Sequence, residues 1–283
     1  MRSLLFILFC ALPFVGQSQS GKVLENMQVH SEILNMDRNY AVYLPPGYET
    51  SERNYPVLYL LHGATDNHTG WVQFGEVLHI TDKAIQDGLA TPMIIIMPDA
   101  DTKVMGYFNV PNWNYEDFFF KELMPHVEQK FRIRKEKRYR AVAGLSMGGG
   151  GSFMYALRHP ELFSSACPLS AYVGPLTEEQ SLSGLKRRFP EATEAQAKAY
   201  FENYNALNLL EKADAEQVKS IKWYIDCGDD DFLYEGNALM HIAMRKKNIP
   251  HEYRVRNGGH TWTYWREALP TVLGFVTETF HQH

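Results

Sequence analysis

The stretch that most restricts how this chain can fold is Tyr139-Arg-Ala-Val-Ala-Gly-Leu-Ser-Met-Gly-Gly-Gly-Gly151, an apolar run that ends in a serine set among glycines. The short run before the serine reads as a buried strand, and Ser152-Phe-Met-Tyr-Ala-Leu-Arg158 after the glycines reads as a helix. Between them Gly144-Leu145-Ser146-Met147-Gly148 has the form G-x-S-x-G, a sharp strand-to-helix turn that pushes a serine hydroxyl out above the sheet. Such a turn leaves no room for side chains two residues before and after the serine, where Gly144 and Gly148 stand. Gly149 to Gly151 then let the helix pass close to the strand. At a helix N-terminus, Ser146 would also meet a dipole that favours negative charge on a bound carbonyl oxygen. The competing reading is a glycine-rich turn that holds a serine by chance; the flanking strand and helix weigh against it.

The first twenty residues differ in kind from the rest. Arg2, the apolar run from Leu4 to Val15 and the small, polar Gly16-Gln-Ser-Gln-Ser20 have the pattern of a secretory signal, residues 1–20. Its apolar core is too short for a membrane span, and no later run approaches the ~20 residues a span needs. The bulky Phe9 before Cys10 does not suit lipoprotein processing, so a secreted or periplasmic protein without a lipid anchor is expected. Loss of the leader leaves 27 basic against 33 acidic side chains, a net charge near −6, with no long basic block. Nucleic acid and anionic membrane are therefore not expected partners. Cys167 and Cys227, which remain after processing, lie in apolar strand-like runs and read as buried free thiols rather than a bridge.

Residues 21–283 are rich enough in apolar side chains to bury a large core as one domain, and they alternate strands with helices. Val23 to His30 and Asn39 to Leu44 alternate apolar and polar residues about a polar turn at Asn35-Met-Asp-Arg38, an antiparallel hairpin at a sheet edge. Val57-Leu-Tyr-Leu-Leu61 and Met93-Ile-Ile-Ile-Met97 are continuous apolar runs, as parallel strands covered on both faces require. Trp71 to Gly88 and Tyr115 to Lys130 have helical spacing, and Ser164 to Ser170, Ile221 to Cys227 and Glu252 to Arg256 supply later strands. The fold class is α/β, a mostly parallel, doubly wound sheet. Residues 174–219, rich in Glu, Gln, Ala and Lys, read as a helical, cap-like insertion over the site.

An activated serine needs a base, and the base needs an acid to orient it; both are expected on loops after later strands. The strand ending at Cys227 runs into Gly228-Asp229-Asp230-Asp231, and the strand ending near Arg256 runs into Asn257-Gly-Gly-His260. Of the competing histidines, His241 falls inside a helix, His251 precedes a strand and His159 follows a helix, whereas His260 lies on a loop after a strand end. His62, just before Gly63, reads as a structural anchor. Asp231 leaves two residues for the turn after Gly228 and is the expected acid, with Asp229 and Asp230 as turn formers. A metal site in the aspartate run lacks the spaced oxygen ligands of a calcium loop, and no metal or other cofactor is expected. The oxyanion donors are expected to be the N–H of Met147 and, from Leu61-His-Gly-Ala-Thr65, that of Ala64.

Taken together, Tyr43-Leu-Pro-Pro-Gly-Tyr48, Tyr55-Pro-Val-Leu-Tyr-Leu-Leu-His-Gly63, Gly144-Leu-Ser-Met-Gly-Gly149, Cys227-Gly-Asp-Asp-Asp-Phe232 and Gly258-Gly-His-Thr-Trp262 are spread over nearly all of the chain after the leader. In these motifs it resembles the esterase D or feruloyl esterase family of α/β-hydrolases, which includes xylan-associated feruloyl and acetyl esterases, S-formylglutathione hydrolases and mycolyltransferases. The resemblance implies an α/β-hydrolase fold and the triad Ser146, Asp231 and His260. It departs at Ala64-Thr65, where relatives often carry more glycine, which bears on the second oxyanion donor. An export signal disfavours the formylglutathione role and leaves feruloyl or acetyl esters of plant cell-wall xylan ahead of a general short-chain carboxylesterase or an acyltransferase. A non-catalytic binding protein on this fold would lack part of the triad. Trp71, Tyr107, Trp113 and Trp262 are the expected substrate-binding aromatics, set against the common fate of such residues as core. The expected partner is a small-molecule or oligosaccharide ester.

Overall fold

The computed structural model describes residues 20–100 and 106–281. The expected leader, Cys10 included, lies outside the described residues but for Ser20. The strands are β1 Lys22–Ser31, β2 Met36–Leu44, β3 Val57–Leu61, β4 Ile94–Pro98, β5 Asn109–Val110, β6 Trp113–Asn114, β7 Arg140–Leu145, β8 Ser165–Leu169, β9 Lys222–Gly228 and β10 Glu252–Arg256. The helices are α1 Gly70–Gln73, α2 Val77–Gln86, α3 Tyr115–Phe118, α4 Met124–Lys130, α5 Met147–Arg158, α6 Glu178–Arg188, α7 Glu194–Tyr204, α8 Ala206–Lys212, α9 Ala215–Lys219, α10 Tyr234–Lys246 and α11 Trp262–His281.

Eight strands form one sheet in the order β1-β2-β4-β3-β7-β8-β9-β10, and β5 and β6 make a separate small hairpin. From β4 to β10 all neighbours are parallel, while β1 and β2 join antiparallel at one edge, as the alternating N-terminal runs suggested. Every residue of β3, β4, β7 and β8 is buried, which explains the unbroken apolar sequences of β3 and β4 and the apolar runs that follow Arg140 in β7 and Ser165 in β8. Successive side chains alternate faces. Val57, Tyr59, Leu61, Ile94, Ile96 and Val142 join one core cluster, and Leu58, Leu60, Ile95, Met97, Ala141 and Ala143 join the other. At the far edge β10 carries Glu252, Arg254 and Arg256, charges that blunt further pairing.

The strand order reverses at β3: the chain turns back from β3 to β4 on one side, then crosses to β7 and continues outward on the other. The loops after β3 and β7 therefore diverge and leave a crevice at the carboxyl ends of the strands, the usual ligand position in such sheets. Helix α5 starts directly at Met147, earlier than the sequence suggested, so Gly148 to Gly151 belong to its first turns. A Cβ on Gly144 would lie 2.5 Å from the carbonyl oxygen of Gly148, and one on Gly148 would lie 2.5 Å from that of Leu61. These contacts are backbone to backbone and cannot relax by a rotamer change.

Two expected helices are interrupted. The segment from Trp71 breaks between α1 and α2, where Gly75 packs against the Trp71 ring and Glu76 takes a left-handed φ of 52°. The break turns Phe74 outward. Residues 115–130 form one helical run, with a π turn at Phe119–Leu123 between α3 and α4. The insertion is helical throughout, and each of its helices opens on a side-chain cap: Thr177, Thr193 with Gln196 as a capping box, Asn205 and Asp214. Leu185, Ala192 and Ala197 form a small core between α6 and α7. Only α6 and α7 act as a cap, because α8 packs on α5 and α10 in the body. The cap is tied down by Tyr204, whose hydroxyl donates to buried Glu116 at 2.8 Å, as does Arg158 Nε at 2.7 Å. Cys167 and Cys227 are free and buried.

Gly148→Ala should lower unfolding stability by about 1–3 kcal/mol through overpacking against Leu61. Gly184→Ala, at a site in α6 with open space around the added carbon, should raise it by roughly 0.5–1 kcal/mol. Denaturant titration of both variants checks the contrast.

Candidate active site

Ser146 caps β7 with φ 55° and ψ −114°, a conformation that costs a non-glycine residue about 1–3 kcal/mol. Three main-chain hydrogen bonds hold it there. Its N–H donates to Leu169 O at 2.9 Å, and its carbonyl accepts from Gly150 N at 3.0 Å and from Tyr172 N at 2.9 Å. The result aims the hydroxyl into the crevice at the N-terminus of a twelve-residue helix.

The acid and the base arrive from the next two strand ends. The Ser146 hydroxyl lies 2.9 Å from His260 Nε2, and His260 Nδ1–H donates to Asp231 at 3.0 Å from Oδ1 and 2.9 Å from Oδ2. Asp231 is buried, and burial alone would push its carboxyl upward. Hydrogen bonds from His260, from the Leu233 N–H and from the Ser170 hydroxyl outweigh that effect and hold it below the usual carboxylate range. Asp231 is therefore an anion at neutral pH, fixed on the side of the imidazole away from the serine. Such an acid selects the tautomer with a bare Nε2 facing Ser146 and stabilises the imidazolium once a proton is taken. Trp265 meets the ring edge-on at 4.9 Å, and Phe232 lies 4.5 Å away on a tilted plane.

The neighbouring aspartates do other work. Asp229 Oδ1 accepts from the Gly258 N–H at 2.9 Å, and the Asp230 N–H donates to Gly258 O at 3.1 Å, stitching the acid loop to the histidine loop. His62 is buried; its Nδ1–H donates to Gly63 O at 2.8 Å and its Nε2 accepts from the Ala100 N–H at 3.0 Å. Burial holds its pKa below the ordinary value, so it stays neutral and anchors the β3 loop. His241, on α10, lies 2.7 Å from His251, and neither lines the clefts at Ser146. The Met147 N–H, at the first position of α5, has no partner within the helix, and Ala64 lines the space on both sides of Ser146.

Two clefts of about 340 Å³ each meet at Ser146 and Ala64. One is walled by Thr65, Asp66, Phe74, His260, Trp262 and Trp265. The other runs beneath the cap and is lined by Phe108, Tyr172, Tyr200 and Phe232, with Arg187 and Arg188 on α6. Of the four aromatics expected to bind substrate, Trp262 lines one of these two clefts, whereas Trp71, Tyr107 and Trp113 line neither. Trp71 and Tyr107 are fully buried and Trp113 nearly so. Each also spends its polar end on the main chain: Trp71 Nε1–H donates to Leu61 O at 3.1 Å, Tyr107 O–H to His62 O at 3.1 Å and Trp113 Nε1–H to Gly106 O at 3.0 Å. Tyr172, Tyr200, Arg187 and Arg188, which line the cap cleft, were missed because they stand on segments far from the motifs. Phe232 and Phe108 carried a signal, the one by its place immediately after Asp231 and the other by its place beside Tyr107.

The model of the Esterase family matches residues 31–276. An endo-1,4-beta-xylanase/feruloyl esterase of Xylanibacter ruminicola is 37% identical over 129 residues, which cover 43% of this chain and 18% of that protein. An esterase of Mycobacterium tuberculosis is 30% identical over 249 residues, 78% of this chain and 52% of that one. The chain thus matches about half or less of the length of these two curated relatives. A solved structure of a ferulic acid esterase superposes with a TM-score of 0.83 at 36% identity, covering 93% of this chain and 99% of that one.

Asp231→Asn should lower kcat by ~10⁴, as loss of the orienting acid does in a triad. Asp229→Asn and Asp230→Asn, which remove only loop contacts, should cost far less. Steady-state kinetics on one activated ester separates the three; sensitivity at Asp229 or Asp230 instead would mean that the acid is misassigned.

Proposed function

As the chain belongs to the Esterase family, a family of carboxylic ester hydrolases with the α/β-hydrolase fold, we propose that it cleaves its esters through an acyl-enzyme on Ser146. The hydrogen-bonded series Asp231–His260–Ser146, with every link between 2.9 and 3.0 Å, is the observation that carries this reading. Ser146 Oγ attacks the ester carbonyl while His260 Nε2 takes its proton. Negative charge then develops on the carbonyl oxygen, where the N–H groups of Met147 and Ala64 receive it. Each such donor is worth roughly 2.7–4 kcal/mol of transition-state stabilisation. Collapse breaks the carbon–oxygen bond to the alcohol, which leaves with the proton from His260. Water repeats the sequence on the acyl-serine and restores the enzyme.

The substrates we propose are hydroxycinnamoyl esters such as feruloyl groups on plant cell-wall xylan. Two observations support this: the likeness over almost the whole chain to a ferulic acid esterase, and the aromatic lining of the cap cleft. A flat, apolar acyl group gains from burial against Phe108, Tyr172, Tyr200 and Phe232, and stacked pairs add ~0.5–1.5 kcal/mol beyond burial. An acetyl group gains little from such walls. Residues 1–20, with the pattern of a secretory signal, suit an enzyme whose polymeric substrate lies outside the cell, and no helix among the described residues is long and apolar enough to cross a membrane.

The test is kcat/KM for methyl ferulate against an acetyl ester of similar reactivity, because discrimination lies in that ratio. Wild type should favour the ferulate, Tyr172→Ala should lose about tenfold on it, and Ser146→Ala should turn over neither. Release of acetate from xylan without release of ferulate would refute the aryl cleft and promote an exported acetyl or general carboxylesterase.

A further inference from the structure

The cleft on the His260 side has a construction that the acyl group does not explain. Trp262 stands at its wall, held edge-on by Trp71 at 5.2 Å and by Trp265 at 5.4 Å. Both supports are buried, so the indole has a fixed orientation. Phe74, half exposed, lies 5.9 Å from Trp262 at 37°. Its backbone is clamped from α11, where Arg266 Nη1 donates to Phe74 O at 2.8 Å. Thr65 and Asp66 add a hydroxyl and a carboxylate to the wall, and among the described residues no lysine or arginine lines this side, whereas Arg187 and Arg188 line the cap side. Rigid aromatic faces beside a carboxylate and a hydroxyl suit a ligand with C–H faces and many hydroxyl groups.

We propose that this cleft receives the sugar half of the ester and that Phe74 and Trp262 determine the preference for it. The chemistry sets the direction. When the bond between the acyl carbon and the alcohol oxygen breaks, its electron pair goes to that oxygen, which takes the proton held on His260 Nε2. The departing oxygen must therefore sit against His260, which lines this cleft and not the other. The acyl group then lies beneath the cap, and the inference rests on the preceding reading for the acyl-enzyme, for that placement and for the sugar ester. A pyranose or furanose ring over Phe74 and Trp262 stacks its C–H face on the rings and turns its hydroxyls to Asp66 and Thr65. This assignment also gives Trp71 its role, as a buttress behind Trp262 rather than a wall.

The experiment compares, for ferulate and separately for acetate, kcat/KM on the methyl ester and on the ester of the same acid with a xylose- and arabinose-containing oligosaccharide. The ratio of sugar ester to methyl ester cancels the acyl group. In wild type it should exceed one. Phe74→Ala should reduce it about tenfold for whichever acyl group is turned over, mainly through KM, and weaken competitive inhibition by the unesterified oligosaccharide by the same factor. Phe74→Trp, which keeps a flat face, should keep the ratio. An unchanged ratio in Phe74→Ala, a parallel fall on both esters, or a Phe74→Trp variant that behaves like alanine would overturn the proposal. Turnover of the acetyl pair alone would retire the feruloyl reading and leave the ratio to decide this one.

Discussion

The contact on which the rest of the molecule depends is the approach of the first turn of α5 to the ends of β3 and β7, with no side chain between. Gly144 and Gly148 sit where any Cβ would strike a carbonyl oxygen. Without that approach Ser146 could not be held at φ 55° by hydrogen bonds to Leu169, Gly150 and Tyr172. The strain is local and small beside the total burial, and it is over-determined by main-chain contacts that do not depend on rotamers. It delivers one hydroxyl to a crevice that the reversal of strand order has already opened. The proposed oxyanion donors lie in the same region, one at the first N–H of α5 and the other on the loop after β3.

The electrostatics of the site are arranged in depth. Asp231 is buried and charged, a costly state that three donors make tenable. His260 lies between that anion and the surface, and Ser146 between His260 and the two clefts. Asp229 and Asp230 fix the loops rather than the proton, so three adjacent aspartates divide into one electrostatic and two architectural roles. Beyond the serine the surroundings differ in sign. An acid and neutral aromatics flank the histidine side, and two arginines flank the cap side. An ester has two chemically distinct halves, and the protein offers them two distinct environments.

Much of this was legible in the sequence because it is local. The continuous apolar runs gave β3, β4, β7 and β8, and Ser146, Asp231 and His260 each stand at a strand end where short-range pattern fixes their place. Of the four aromatics singled out in the sequence, only Trp262 lines a cleft at Ser146. Trp71, Tyr107 and Trp113 stand on the expected loops, yet each ring turned inward to meet a carbonyl that only the folded chain supplies. The break before α2 was missed because Gly75 is ordinary in a helix until the Trp71 ring packs against it. Similarly, helical composition announced residues 174–219 as an insertion but could not divide it into a cap, α6 and α7, and a pair of helices that join the body.

If the series Asp231–His260–Ser146 acts as proposed, Ser146 Oγ carries the acyl group. Rapid acid quench of the wild-type enzyme during turnover of methyl ferulate, followed by peptide mass spectrometry, tests it directly. A single feruloyl adduct is expected on the peptide containing Ser146, formed in the first turnover and absent from a His260→Ala variant. An adduct on any other residue, or full turnover with no covalent intermediate under conditions that slow deacylation, would contradict it.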